Sequence, residues 1–129
     1  MPTQPPLKLQ TDTLSFDKFW SWLQGHRNCI LSAGTTQSVL YDSEDFHWHF
    51  GSEDGTLLVQ VLRGKELVGE ILLEPQMISY VQSIRHSEDE YEFDCVSELE
   101  SEPMVICYFT MSHEYDAQEG QPKKGRLMH

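Results

Sequence analysis

The chain is expected to fold as an α+β domain: an amino-terminal helix packed on a strongly curved antiparallel meander sheet of about seven strands, with a half barrel as the limiting curvature. Three observations lead there. One stretch near the start repeats its apolar residues at the helical period. From residue 28 onward the apolar period shortens to that of a strand. The connections between these later runs are too short to carry the crossovers that parallel strands require.

The helix is read from Ser15 to Gly25. Ser15 is a good amino-terminal cap, Asp17 suits the positive end of the helix dipole, and Gly25 is a natural stop. Phe16, Phe19, Trp20 and Leu23 fall at i, i+3, i+4 and i+7, one apolar stripe that must dock on the sheet. Candidate strands follow near residues 28–33, 36–42, 45–50, 56–63, 66–74, 77–85, 89–97 and 103–112, separated by turn residues such as Ala33-Gly34, Gly51 to Gly55, Gly64-Lys65, Pro75 and Pro103. A two-residue turn at Gly64-Lys65 pairs Leu62 with Leu67, Val61 with Val68, Gln60 with Gly69 and Leu58 with Ile71. One face of that hairpin then carries Leu58, Leu62, Leu67 and Ile71, and the other Leu57, Val61, Val68 and Leu72. Both faces are apolar, so both need cover. The helix covers one, and a curled sheet, a second sheet or a homodimer through the 57–74 hairpin covers the other.

Domain organisation is simple. Residues 1–12 are Pro- and Gln-rich and expected to be loose, 13–112 form the domain, and 113–129 read as a disordered polar tail. The net charge of -12 is concentrated in the folded region, where 16 acidic residues stand against Arg63, Lys65 and Arg85 between Asn28 and Ser112. Such a field repels phosphates and anionic membranes, so neither nucleic acid nor a membrane is an expected partner. The three cysteines, Cys29, Cys95 and Cys107, are odd in number, widely spaced and set in apolar runs. With no secretory leader pattern at Pro2, Pro5 and Pro6, the expected location is the cytoplasm.

The acidic residues themselves are patterned. Glu88, Glu90, Glu92, Asp94, Glu98, Glu100 and Glu102 share one parity, while Tyr91, Phe93, Cys95 and Leu99 share the other. On a strand this turns a ladder of carboxylates outward, with same-face neighbours roughly 7 Å apart. Like charges along one strand face cost stability, which favours a docking role over an idle one. Glu88, Glu90, Glu92, Asp94, Glu98 and Glu100 are therefore the expected contacts for a basic protein partner, by electrostatic steering followed by apolar contact.

A second constellation is Asp45-Phe46-His47-Trp48-His49-Phe50-Gly51-Ser52-Glu53. On a strand, His47 and His49 project from one face, and two imidazoles with the Glu53 carboxylate form a donor set for a divalent transition metal. The spacing His-x-His-x-x-x-Glu resembles the first metal motif of the cupin family of small β-barrels. That resemblance implies a further histidine, here His86 or His113, and departs from the family pattern at Tyr41, where a glycine is usual. Other catalytic signatures are missing: there is no Gly-x-Ser-x-Gly elbow, and the acidic Gly51 to Gly55 loop lacks the Gly-Lys-Ser/Thr end of a phosphate loop. The expectation is thus a small acidic interaction protein without catalysis or cofactor, of the inhibitor, immunity or chaperone kind. The alternative is a cupin-like barrel that binds a metal or small ligand through His47 and His49.

Overall fold

The computed structural model describes residues 11–116. Nine strands and one helix follow in the order β1 (Thr11–Leu14), α1 (Phe16–Gln24), β2 (Ile30–Thr35), β3 (Val39–Tyr41), β4 (Phe46–Glu53), β5 (Thr56–Arg63), β6 (Glu66–Leu73), β7 (Tyr80–Arg85), β8 (Tyr91–Ser97) and β9 (Met104–Met111). The fold is α+β, and every strand pair is antiparallel. The strands divide into two sheets: six in the order β1-β7-β8-β9-β2-β3, and three in the order β4-β5-β6. Neither closes as a barrel. One sheet facing the other covers the inner faces, with the helix among the core residues, while Leu67 and Leu72 stay exposed on the outer face of the smaller sheet. β1 starts at Thr11 and pairs with β7, so the domain begins two residues before the boundary expected from composition. Most of the residues read as a polar tail lie outside the described ones.

The helix forms as its caps dictate. Ser15 Oγ accepts the Lys18 amide at 3.2 Å, and the chain leaves the helix at Gly25. Its buried residues are Phe16, Phe19, Trp22 and Leu23, so Trp22 replaces Trp20 in the expected stripe. The second sheet explains the exchange. Phe19 meets Phe93 and Phe109 of the larger sheet at centroid distances of 5.0 and 5.6 Å. Trp20 turns the other way, edge-on to Phe50 of the smaller sheet at 5.3 Å. Val59, Val61, Ile71 and Trp48 line the inner face of the smaller sheet, and Ala33, Val81, Phe93 and Phe109 that of the larger.

Two hairpins differ in detail from the sequence expectation. β4 runs on to Glu53, because Asp54 and Gly55 take φ of 53° and 89° and close a two-residue turn. In the β5–β6 hairpin the register shifts between Val61 and Leu62, leaving Val68 as an extra residue. Val61 therefore pairs with Gly69, Gln60 with Glu70 and Leu58 with Leu72. Ile71 joins the core and Leu72 goes outward, the reverse of the uninterrupted register. Gly69 now faces inward beneath Leu40 of β3: a Cβ there would lie 2.5 Å from Leu40 Cδ2, so one sheet reaches the other through the missing side chain.

Candidate functional site

The acidic residues do not form one ladder. β8 keeps the expected alternation only from Tyr91 to Cys95, with Tyr91, Phe93 and Cys95 buried and Glu92 and Asp94 on the outer face. A register shift between Cys95 and Val96 then ends it. Glu88, Asp89 and Glu90 sit exposed in the β7–β8 turn, closed by the His86 amide donating to the Glu90 carbonyl at 2.9 Å. Glu98, Glu100 and Glu102 sit exposed in the β8–β9 loop. The two groups are separated by the length of β8, about 20 Å.

Glu92 and Asp94 behave as a pair in the middle of that outer face. Burial, and then a hydrogen bond to Glu92 and its charge, push Asp94 up to about 8. Glu92 is held below the usual glutamate range by the hydrogen bond from Asp94 and by His86, whose Nε2 lies 2.7 Å from Glu92 Oε1, against an opposing effect of burial. One proton held between two carboxyls, with the negative charge left on Glu92, accounts for both directions. Asp94 Oδ1 is buried without a conventional donor, a position better suited to a protonated than to an ionised group. The pairing removes one negative charge from the surface that the sequence assigns to a partner.

Cross-strand neighbours complete this face. Asp94 lies opposite Tyr108, and Glu92 opposite Thr110, whose Oγ1 is 2.6 Å from Ser32 Oγ. Tyr108 lies across Gly34 of β2: a Cβ on Gly34 would stand 2.6 Å from Tyr108 Cζ and Oη. An aromatic ring laid over a strand glycine restores the packing that the glycine forgoes. Burial, then Tyr41 and Glu92, raise the Tyr108 phenol above its ordinary value. Gly34→Ala is expected to push Tyr108 off the sheet and cost about 1–2 kcal/mol. Urea unfolding would give the cost, and a phenol titration that moves back toward that of free tyrosine would show the displacement.

The β8–β9 loop has a different character. Leu99 is 60% and Met104 49% exposed, set among Glu98, Glu100 and Glu102 with no basic residue between Ser97 and Val105. The loop is pinned to the start of β7, where the Glu98 amide donates to Ser79 Oγ at 2.9 Å and the Ser79 amide to the Val96 carbonyl at 2.7 Å. Next to Ser79 opens a groove of about 350 Å³ between the two sheets. Leu72, Met77, Ile78 and Ile106 form its apolar lining, and Thr35, Gln37 and Glu74 its polar one. The sequence signalled the carboxylates of this region. It did not signal the groove, whose walls come from three segments far apart in the sequence, at residues 35–37, 72–78 and 106–107.

His47 and His49 are exposed on the outer face of the smaller sheet. His49 Nδ1 is 3.1 Å from Gln60 Oε1, and Gln60 Nε2 donates to Glu70 Oε2 at 2.7 Å. Glu53 is on the same strand but about 20 Å from His47 along it, because the strand stays extended. His86 is engaged by Glu92, and His113 lies tilted against Trp22 and His26 at the helix end, at centroid distances of 6.0 and 4.8 Å. Among the described residues no three His, Cys, Asp or Glu side chains converge on a point that could hold a metal ion. Comparison with protein-family models, curated proteins and solved structures yields no match.

Cys95 and Cys107 are core residues, and Cys29 is partly buried beside the core. Cys95 and Cys107 face each other across β8 and β9 as free, buried thiols. The hydrogen bond with Cys107, followed by burial, pushes the Cys95 thiol up, which suppresses the nucleophilic thiolate. Among the described residues no helix is long and apolar enough to cross a membrane.

Proposed function

We propose that this chain is a non-enzymatic interaction protein that receives a basic segment of a protein partner on the acidic surface running from Glu88 to Glu102, with the apolar groove beside Ser79 as its anchor point. The observation that supports this reading is the hydrogen bond from the Glu98 amide to Ser79, the residue after groove-lining Met77 and Ile78, which ties the acidic loop with its exposed Leu99 and Met104 to that segment. Exposed charge alone gives steering and speed; an apolar recess beside it supplies the contact that holds a partner in place. Glu88, Asp89 and Glu90 extend the negative field at the other end of β8. Glu92 and Asp94 contribute less, because they share a proton.

The test is association kinetics against the basic proteins that the immobilised wild type retains at low salt. The triple reversal E98K/E100K/E102K changes exposed loop residues and leaves the core untouched. It is expected to reduce affinity at least tenfold, chiefly through the association rate. That rate should also fall as ionic strength rises from about 0.05 to about 0.5 M, where the screening length shortens from about 14 to about 4 Å. Met77→Asp, at the groove wall, should instead raise the dissociation rate. Undiminished binding by the triple reversal would defeat the proposal.

A further inference from the structure

We propose that the outer face of the smaller sheet is a two-fold interface between copies of this chain, packed face to face about an axis running along β5. The face presents three rows across β4, β5 and β6. The first is His47, Leu62 and Leu67; the second His49, Gln60 and Glu70; the third Gly51, Leu58 and Leu72. Leu67 is 50% and Leu72 58% exposed, so the outer rows offer aliphatic surface to whatever covers them. The central row is already linked by hydrogen bonds from His49 through Gln60 to Glu70.

Turning a second copy about an axis along β5 exchanges β4 with β6 across the interface and keeps each row on itself. His49 then stands opposite the Glu70 position of the second copy, and Glu70 opposite its His49 position. In the third row Leu72 comes over Gly51, whose missing side chain leaves a recess beside Leu58: a Cβ there would be 3.9 Å from Leu58 Cδ1. Leu62 meets its own counterpart. The face is thus complementary to itself in polar groups, imidazole against carboxylate, and in shape. The other face-to-face axis, across the strands, sets Glu70 on Glu70 and is rejected by like charge. Beyond the third row, Glu53 and Glu74 would approach one another, but they lie about 13 Å from the centre, where the roughly 30° crossing of packed sheets carries them apart.

This face is also less acidic than the β8 region. Arg63 and Lys65 at the β5–β6 turn are two of the three basic residues between Asn28 and Ser112. Three strands of eight residues offer a footprint of about 14 by 26 Å. That is below the roughly 800 Å² per partner of a standard interface, which places the dimer in the micromolar range. Each copy carries a charge of -12, so added salt should strengthen association, opposite to its effect on a basic partner.

Sedimentation equilibrium of the full chain, from about 1 to about 500 μM, tests the interface. The wild type should approach dimer mass at the upper end and more readily at higher salt. Leu67→Glu, an exposed position away from the groove, should leave a monomer throughout. His49→Glu should weaken association at least tenfold by setting carboxylate on carboxylate, and the double exchange H49E/E70H should restore it, because the two-fold again sets an imidazole opposite a carboxylate. Leu72 also borders the groove and is left unchanged, so the outcome is independent of the basic-partner reading. A wild type that stays monomeric over the whole range, or a dimer indifferent to Leu67→Glu, overturns the proposal; a double exchange that fails to recover association overturns the stated axis.

Discussion

Phe19→Ala is expected to cost about 3–5 kcal/mol, a large share of the roughly 5–15 kcal/mol that holds a domain of this size folded. Phe19 has no exposed surface and lies at 5.0 Å from Phe93, 5.6 Å from Phe109 and 6.1 Å from Trp22 between ring centroids. Its ring fastens the helix to both β8 and β9, beside Trp22, which meets Phe93 at 5.5 Å. Removing it forfeits the transfer free energy of a buried phenyl group and leaves a cavity between helix and sheet that aromatic neighbours cannot fill without leaving their rotamers. Trp20→Ala provides the contrast: Trp20 is half-buried against Phe50 at the edge of the smaller sheet, and its loss should cost less. Urea unfolding followed by circular dichroism measures both. A loss below about 1 kcal/mol for Phe19→Ala would mean that the helix is not fastened through this ring.

The same residues show how far the sequence could be read. Local signals were strong enough to place the helix, its Ser15 cap and the inward parity of Tyr91, Phe93 and Cys95, because each depends on neighbours within a turn or along a strand. The division into two sheets was not legible. Nothing within the 36–63 segment states that β4 pairs only with β5 while β3 joins β2 in another sheet. The Asp54-Gly55 hairpin was a readable signal, obscured by the glycines around it, and reading a loop there moved Glu53 off its strand. The Val68 bulge exchanged Ile71 and Leu72, since a one-residue slip turns every later side chain to the opposite face. Of the candidate site, the carboxylates were visible in the sequence. The proton shared by Glu92 and Asp94 and the groove beside Ser79 were not, because both arise from distances across folded strands.

Asp94→Asn should flatten the alkaline side of the stability profile, and the sign follows from which state holds the proton. An unfolded aspartate releases its proton near pH 3.9, whereas folded Asp94 keeps its own until about pH 8. Between those limits the native state binds one proton more than the unfolded chain, so stability is highest at the acidic end and falls as pH rises toward 8. Glu92 acts in the opposite sense: its lowered value adds stability above the ordinary glutamate range, lost as pH falls. The pair therefore favours a maximum between the two ranges, in mildly acidic solution. The full displacement of Asp94 corresponds to about 6 kcal/mol, but the site is partly open to water and screening reduces the expected effect to roughly 1–2 kcal/mol. Asparagine has the same shape, donates to Glu92 through its amide and carries no charge. Its variant should match the wild type near pH 5 and exceed it by that roughly 1–2 kcal/mol near pH 9, measured as urea midpoints across the range. Parallel curves for the two proteins from pH 5 to 9 would show that Glu92 and Asp94 ionise independently, and the full negative charge of both would then return to the outer face that meets the partner.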